Sequence, residues 1–163
     1  MSPTPVQVRR ARLTLAQDAA DYRRLLDAYA RDPKGGGAPL APEVLERVVR
    51  DLAGHPTARV FLADTATGVA GFATCFLGYS TFRARPLLNV HDIAVLPDWR
   101  GQGIGRALLR AIAAEAQALG CCKLTLEVRE DNPAARALYA TEGFGPADGG
   151  GTPVQYLFLE KAL

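Results

Sequence analysis

A glycine-rich segment is the part of this sequence best suited to bind an anion. It reads Arg100-Gly101-Gln102-Gly103-Ile104-Gly105-Arg106, and it lies between an apolar run that ends at Leu96 and an amphipathic stretch that begins near Gly103. Glycines let the backbone approach a ligand closely, and the free N–H groups at a helix start favour negative charge. Because Arg100 and Arg106 add positive charge, the segment predicts a cradle for a pyrophosphate group.

Two common nucleotide-binding motifs do not match this segment. The dinucleotide fingerprint requires G-x-G-x-x-G, whereas the glycines here are at 101, 103 and 105 and position 106 is Arg. The P-loop ending of Gly-Lys followed by Ser or Thr is absent as well. An enzyme with a nucleotide cofactor is therefore disfavoured. The loop by itself is also compatible with a tight strand-to-helix connection that binds nothing.

Alternating strand and helix patterns flank the segment and must position it. Apolar spacing predicts helices over 16–31, 42–52 and 103–119, ended by the breakers Gly54 and Gly120, and a fourth helix that Asn132-Pro133 opens. Extended patterns predict strands over 6–13, 58–63, 69–81, 87–96, 124–128 and 154–160. The order β-α-α-β-β-β-α-β-α-β indicates an α/β chain with a mixed sheet and helices on both faces.

A second segment gives the glycine loop a family context. It reads Asn132-Pro133-Ala134-Ala135-Arg136-Ala137-Leu138-Tyr139, followed by Gly143-Phe144. The block from Val90 to Leu109 resembles motif A of the GNAT superfamily of acetyl-CoA-dependent N-acetyltransferases, and the block from Leu124 to Phe144 resembles its motif B. The short stretches 79–82 and 89–93 look most like the small-amine branch, which includes the diamine acetyltransferases.

The resemblance implies a fold and a way to hold a cosubstrate. The fold is one domain over 1–163, with a mostly antiparallel sheet of about six or seven strands that splays at its centre. The cosubstrate is acetyl-CoA, with its pyrophosphate on the backbone N–H groups from Arg100 to Arg106. Its pantetheine arm would lie along strand 92–96, as a peptide adds to a sheet edge. Ile93 and Val95 are expected to bond the arm, although plain core packing would also explain these two residues. A backbone N–H near Ile93 or Ala94 is expected to polarise the thioester carbonyl.

Two helix residues have a second interpretation beside the one that the resemblance implies. Asn132 suits the N-cap of its helix, and in the family this residue also contacts the pantetheine arm or a bound water. Arg136 would reach a cofactor phosphate, or it is an exposed helix arginine.

Direct attack of an amine on the thioester in a ternary complex requires an acid and a base. Tyr139 is the expected general acid for the leaving thiolate, the alternative being a core tyrosine beside Leu138. His91 is the first candidate for the base, with Asp92 and Glu127 as alternates, since an alkyl ammonium has a pKa of about 10.4 and must lose a proton. Neighbouring strand residues face opposite sides, so His91 and Asp92 share a side only where a bulge intervenes.

The acceptor is expected to be a primary amine of a small molecule or a peptide. The diamine branch carries an acidic candidate base at the position of His91, so this chain departs from it there. Arg83 and Arg85 are candidates to favour an acceptor that carries a carboxylate. A non-catalytic acyl-CoA-binding or sensor protein on the same fold is the alternative function. A homodimer is expected from the resemblance alone.

Composition excludes several other classes of partner. The formal net charge is +2, and the 19 Lys and Arg residues form no run of five, so no nucleic-acid partner is expected. No apolar run reaches the roughly 18 residues of a membrane span, and the first residues lack the apolar stretch of a signal peptide. Two histidines and three cysteines without C-x-x-C spacing predict no metal site, and a reducing cytoplasm is the expected location.

Overall fold

Five strands form one sheet in the part of the chain that the computed structural model describes, residues 6–146 and 157–163. The strands are β1 (Gln7–Arg10), β2 (Ala58–Thr65), β3 (Gly68–Ser80), β4 (Arg85–Val95) and β5 (Leu124–Leu126). They lie in chain order, antiparallel from β1 to β4 and parallel between β4 and β5. The helices are α1 (Ala16–Arg31), α2 (Pro42–Ala53), α3 (Ile104–Ala118) and α4 (Pro133–Thr141), with a short 3-10 helix at Pro97–Trp99.

Helices cover both faces of the sheet, because each face presents a row of apolar side chains that must leave water. On one face, α3 packs Ile104, Leu108 and Ile112 against the sheet. On the other face, α1 packs Tyr22 and Leu25 against the sheet. The mixed sheet with helices on both faces is therefore confirmed. None of the helices in the described ranges has the length and hydrophobicity that a bilayer crossing requires.

The sheet is smaller than the six or seven strands expected. Of the predicted last strand, residues 154–156 lie outside the described residues, and residues 157–160 form no strand and are exposed. β1 ends at Arg10 rather than at position 13, because Leu13 turns into the core beneath α1. β5 ends at Leu126 rather than at 128, because its ladder with β4 stops at the pair Val90 and Leu126.

A charged cluster ties the first strand to the first helix. Asp18, only 4% exposed, accepts two hydrogen bonds from the Arg9 guanidinium at 3.0 Å and one from the backbone N–H of Arg12 at 2.6 Å. Arg9 also donates to Asp64 of β2 at 2.6 Å. Burial raises the pKa of Asp18, but the bonds from Arg9 and Arg12 outweigh it, so this pKa lies below its ordinary value. The ionised carboxylate therefore stabilises the packing of β1, β2 and α1.

Replacing Asp18 with asparagine is expected to lower the free energy of unfolding by about 1.5–3 kcal/mol at pH 7, the range for hydrogen bonds to charged groups. Because the folded-state pKa of Asp18 is depressed, its contribution is present above the unfolded value of 3.8 and is lost as pH falls through the folded value. Urea denaturation at pH 7 and below pH 3 checks this. Asp51→Asn, at an exposed carboxylate paired with Arg50, is the matched control. Equal losses in the two variants at pH 7 would contradict the prediction.

Candidate active site

A β-bulge in β4 is the feature around which the site is built. Thr74 of β3 pairs with Asp92, and the next residue, Cys75, pairs with Val90, so His91 is an extra residue in the ladder. A bulge of this kind turns two consecutive side chains towards one side of a sheet. His91 and Asp92 therefore share the face that α1 covers. Without a bulge, strand alternation would place these two neighbours on opposite faces.

The two bulge residues have different surroundings. His91 is exposed and places its ring edge-on to Phe76, with ring centroids 5.5 Å apart. Asp92 is half-buried, and its ladder partner Thr74 bonds the Tyr22 hydroxyl at 2.8 Å. Burial raises the pKa of the Asp92 carboxyl, and a positive charge on His91 opposes the rise. A half-buried carboxyl with a raised pKa has the properties of a proton acceptor.

Beyond the bulge, one edge of β4 has no partner strand among the described residues. β5 pairs only as far as Val90, while β4 continues to Val95. The N–H of Leu96 donates to the Ala70 carbonyl of β3. Because the backbone groups of successive strand residues alternate in direction, those of Ala94 also turn towards β3. The backbone groups of Ile93 and Val95 turn towards the open edge. The Val95 carbonyl accepts from Arg100 Nε at 3.0 Å, in agreement with this orientation. Ile93 and Val95 thus offer backbone groups to a ligand, and Ala94 does not.

The glycine loop leads from this edge into α3. Gly101 and Gly103 have φ of +75° and +83°, a region that favours glycine, and a Cβ at either would meet open space. The backbone N–H groups from Gly101 to Arg106 have no acceptor in the described part of the chain. Six consecutive donors at a helix start suit an anion, and the pyrophosphate assignment of the loop stays a prediction. Gly105 serves packing instead, because a Cβ there would lie 2.9 Å from Leu138 of α4.

The arginines assigned to the cofactor all have protein partners. Arg100 pairs with Asp32 at 2.7 Å, and Arg106 pairs with Glu142 at 3.0 Å. Arg136 is exposed and donates to the Glu130 carbonyl at 3.4 Å. The net positive charge that these side chains offer an anion is therefore smaller than the sequence suggests.

Helix α4 brings Tyr139 to the same region. Asn132 caps the helix by accepting from the N–H of Ala135 at 3.2 Å, with Pro133 in the first turn, so its N-cap role is confirmed. Tyr139 is half-buried against Phe144, with ring centroids 5.8 Å apart. Burial raises its pKa, and the nearby Tyr29 raises it further. The phenol therefore stays protonated across the physiological range, as a general acid must.

Two residues of the site escaped sequence analysis. Tyr29 falls in the apolar stripe of α1, yet its pKa is raised by burial and then by the charges of Asp92 and Asp32. Because it raises the pKa of Tyr139 as well, it lies within electrostatic reach of both Asp92 and Tyr139. Asp32 follows α1 and holds Arg100. A tyrosine on a helical stripe carries no local signal that separates a site residue from a core residue.

Two other candidates lie apart from the bulge. Glu127 is exposed beyond the end of β5 and forms no ion pair with the described residues. Arg85 donates to the Gly120 carbonyl at 3.0 Å. Its charge also opposes the rise in pKa that burial causes at Cys121, which packs on the α3 face. The Arg85 guanidinium is thus bound at the end of α3, and Arg85 lies six positions along β4 from His91.

Known proteins share both the sequence and the fold. The model of the acetyltransferase (GNAT) family matches residues 22–144. The [ribosomal protein bS18]-alanine N-acetyltransferase of Escherichia coli is 50% identical over 59 residues, which are 36% of this chain and 40% of that protein. The aminoglycoside N(6')-acetyltransferase type 1 of Stenotrophomonas maltophilia is 34% identical over 110 residues, covering 65% of this chain and 71% of that protein.

The solved structure of AAC(6')-Iy with the bisubstrate analog CoA-S-monomethyl-acetylneamine superposes with a TM-score of 0.77. It is 15% identical, and the superposition covers 98% of this chain and 100% of that one, so it supports the fold alone. The chain spans 40–44% of the length of several curated relatives. Because the family model covers about three quarters of the chain, from Tyr22 to Phe144, the chain belongs to the acetyltransferase (GNAT) family.

Proposed function

We propose that this chain is an N-acetyltransferase that moves an acetyl group from acetyl-CoA to a primary amine of a small molecule or peptide. The observation that carries the proposal is the run of six N–H groups from Gly101 to Arg106 that have no acceptor among the described residues, beside the open edge of β4. Six donors in sequence suit a pyrophosphate, and an unpaired strand edge suits an amide-bearing arm. A nucleotide without such an arm would leave the β4 edge unused.

The residues present fit the cosubstrate both at the glycine loop and along the open edge of β4. Backbone N–H groups of the glycine loop hold the pyrophosphate, and the Ile93 carbonyl and the Val95 N–H, both turned to the open edge of β4, bond the pantetheine amides. Acetyl-CoA supplies the acetyl group as a thioester when bound. The N–H of Ile93 is the donor that we assign to the thioester carbonyl, because the Ala94 N–H is turned to β3. A single donor of this kind contributes about 3 kcal/mol to a transition state.

The acceptor amine is deprotonated at the bulge. We assign the proton-accepting role to the Asp92 carboxylate, because its surroundings raise its pKa and the bulge turns it to the same side as His91. His91 is exposed beside it and offers a route for the proton to solvent. An alkyl ammonium is also attracted to this carboxylate before it loses the proton, which favours a cationic amine as acceptor.

Tyr139 completes the site as the acid. Its half-buried hydroxyl donates a proton to the sulfur as the thioester bond breaks, and Tyr29 lies within electrostatic reach of both this hydroxyl and Asp92. The acceptors in the names of relatives range from an aminoglycoside to an alanine of a ribosomal protein. The acceptor proposed for this chain is accordingly described only as a primary amine.

Calorimetric titration with acetyl-CoA tests the binding half of the proposal, with NAD as the control ligand. Saturable binding of acetyl-CoA alone is expected. Asp32→Asn is expected to tighten acetyl-CoA binding by about 1.4- to fivefold, because it frees Arg100 for the phosphates and such a pair is worth about 0.2–1 kcal/mol. Asp51→Asn, at an exposed pair remote from the loop, is expected to leave binding unchanged. Weaker binding by Asp32→Asn would instead mean that the Asp32 pair holds the loop in its binding shape.

Release of free CoA in the presence of a panel of primary amines tests the catalytic half. Amine-dependent release is expected, with acetylated amine formed in equal amount. Tight acetyl-CoA binding without turnover on any amine would favour the non-catalytic acyl-CoA sensor. Binding of NAD in place of acetyl-CoA would overturn the proposal entirely.

A further inference from the structure

A second basic cleft lies at the edge of the sheet away from the glycine loop. Its volume is about 320 Å³, within the roughly 300–1,000 Å³ of small-molecule sites. It lies between the segment that joins β1 to α1 and the segment that joins α2 to β2. Its lining consists of Arg10, Ala11, Arg12, Leu13, Thr14, Leu52, Ala53, His55, Ala58, Arg59 and Val60.

The charges around this cleft are unbalanced. Three arginines and a histidine line it, and no acidic residue does. Arg10 and Arg59 share one carboxylate, that of Glu115 on α3. The Arg12 guanidinium forms no hydrogen bond or ion pair within residues 6–146 and 157–163, while its backbone N–H is held by Asp18. The cleft therefore keeps an excess of positive charge on a backbone that is fixed in place, with the Asp18 carboxylate acting on Arg12 through space and without an ion pair.

His55 adds a directed donor. The backbone N–H of Thr57 donates to its Nδ1 at 3.4 Å, so the ring proton of the neutral imidazole is on Nε2. The His55 ring meets Phe76 at 5.4 Å, and Phe76 meets His91 at 5.5 Å, both edge-on. These three rings form a row from the cleft to the bulge in β4. A ligand that contacts His55 would therefore be linked through Phe76 to His91, which is next to Asp92.

We propose that this cleft binds the oxyanion of a small molecule, a phosphate or a carboxylate, with Arg12 as the main contact. Guanidinium groups form paired, charge-assisted hydrogen bonds with both anions, and Arg12 has no hydrogen bond or ion pair of its side chain among the described residues to give up. The apolar lining from Leu13, Leu52 and Val60 leaves room for a short carbon skeleton on the same molecule. The site is independent of acetyl-CoA, since the glycine loop is at the other end of β2 and β3.

The two histidines of the chain allow a direct test. Imidazole NMR signals are followed at fixed pH while inorganic phosphate, or citrate in a separate arm, is added to the full chain with saturating CoA. CoA keeps the glycine loop from taking the anion. A saturable shift of the His55 signal is expected, and Arg12→Gln is expected to weaken it at least about tenfold. Arg47→Gln, at an exposed arginine of α2 that forms no ion pair with the residues the structure describes, is expected to bind as the wild type does.

Each outcome has a defined meaning. A response to phosphate alone or to citrate alone names the class of anion that the cleft prefers. A His55 signal that neither anion moves overturns the proposal, as does equal binding by Arg12→Gln and the wild type. Unchanged melting temperatures of both variants show that a loss of binding is not a loss of fold. If the protein fails to bind CoA, the same titration without CoA still reports on His55, so the two proposals fail separately.

Discussion

Replacing Asp92 with asparagine is expected to lower kcat/KM at least about a hundredfold while raising the melting temperature. The activity falls because asparagine cannot accept the proton of the acceptor ammonium, and a general base contributes about 10²–10⁴-fold. Stability rises because burial disfavours the charged carboxylate, as the raised pKa of Asp92 shows. A variant that gains stability and loses activity identifies a charge kept for function rather than for folding.

The pH dependence of both effects follows from the same raised pKa. The base acts only when ionised, so kcat/KM of the wild type is expected to rise with pH through the raised pKa of Asp92, and Asp92→Asn is expected to lose this rise. The folded state holds the Asp92 proton more tightly than the unfolded state, so ionisation costs stability once pH exceeds 3.8. The gain in melting temperature is therefore complete above the folded-state pKa and vanishes below pH 3.8.

Two further variants separate Asp92 from the other candidate bases. His91→Gln is expected to lose less than tenfold, since an exposed group that passes a proton to solvent is replaceable by water, and a base role would cost about 10²–10⁴-fold. Glu127→Gln is expected to retain wild-type activity, because Glu127 is exposed beyond β5. A larger loss in His91→Gln than in Asp92→Asn would assign the base to His91, the first candidate from sequence.

The elements of the fold follow from local patterns, whereas the bulge does not. The 3.6-residue stripes and the Pro and Gly breakers place α1 over 16–31 and α2 from Pro42, as observed. The alternation of apolar and polar residues along β4 predicts which side chains share a face of the strand. It does not predict the position at which one extra residue interrupts that alternation. That position depends on how β3 and β4 pair, through Thr74 and Cys75 opposite Asp92 and Val90. The choice between His91 and Asp92 therefore needed the structure.

The glycine loop shows the same division between local and distant information. The left-handed conformations of Gly101 and Gly103 are local properties, and glycine spacing predicts them. The ion pairs of Arg100 and Arg106 join residues 68 and 36 positions apart in sequence, and no spacing rule links them. Tyr29 is a similar case, because its nearness to Asp92 and Tyr139 arises only when α1, β4 and α4 meet.

Removing one oxygen atom in Tyr139→Phe is expected to lower kcat about a hundredfold while leaving the affinity for acetyl-CoA unchanged. The value is at the lower end of general-acid effects of about 10²–10⁴, because a thiol of pKa about 8.5 is already a fair leaving group. Stopped-flow or steady-state release of CoA measures kcat, and calorimetry measures the affinity. The ring of Tyr139 packs on Phe144, and phenylalanine keeps this contact.

The alkaline side of the pH profile distinguishes an acid from a merely structural tyrosine. Burial raises the pKa of Tyr139 above 10.0, so the wild type is expected to keep its kcat up to pH 10 and lose it above. Tyr139→Phe is expected to lack this alkaline decline. Tyr29→Phe is the matched control, because Tyr29 is also a half-buried tyrosine with a raised pKa in the same cleft. If Tyr29→Phe loses the alkaline decline and Tyr139→Phe keeps it, the proton comes from α1, and the role that the family resemblance implies for Tyr139 does not hold in this chain.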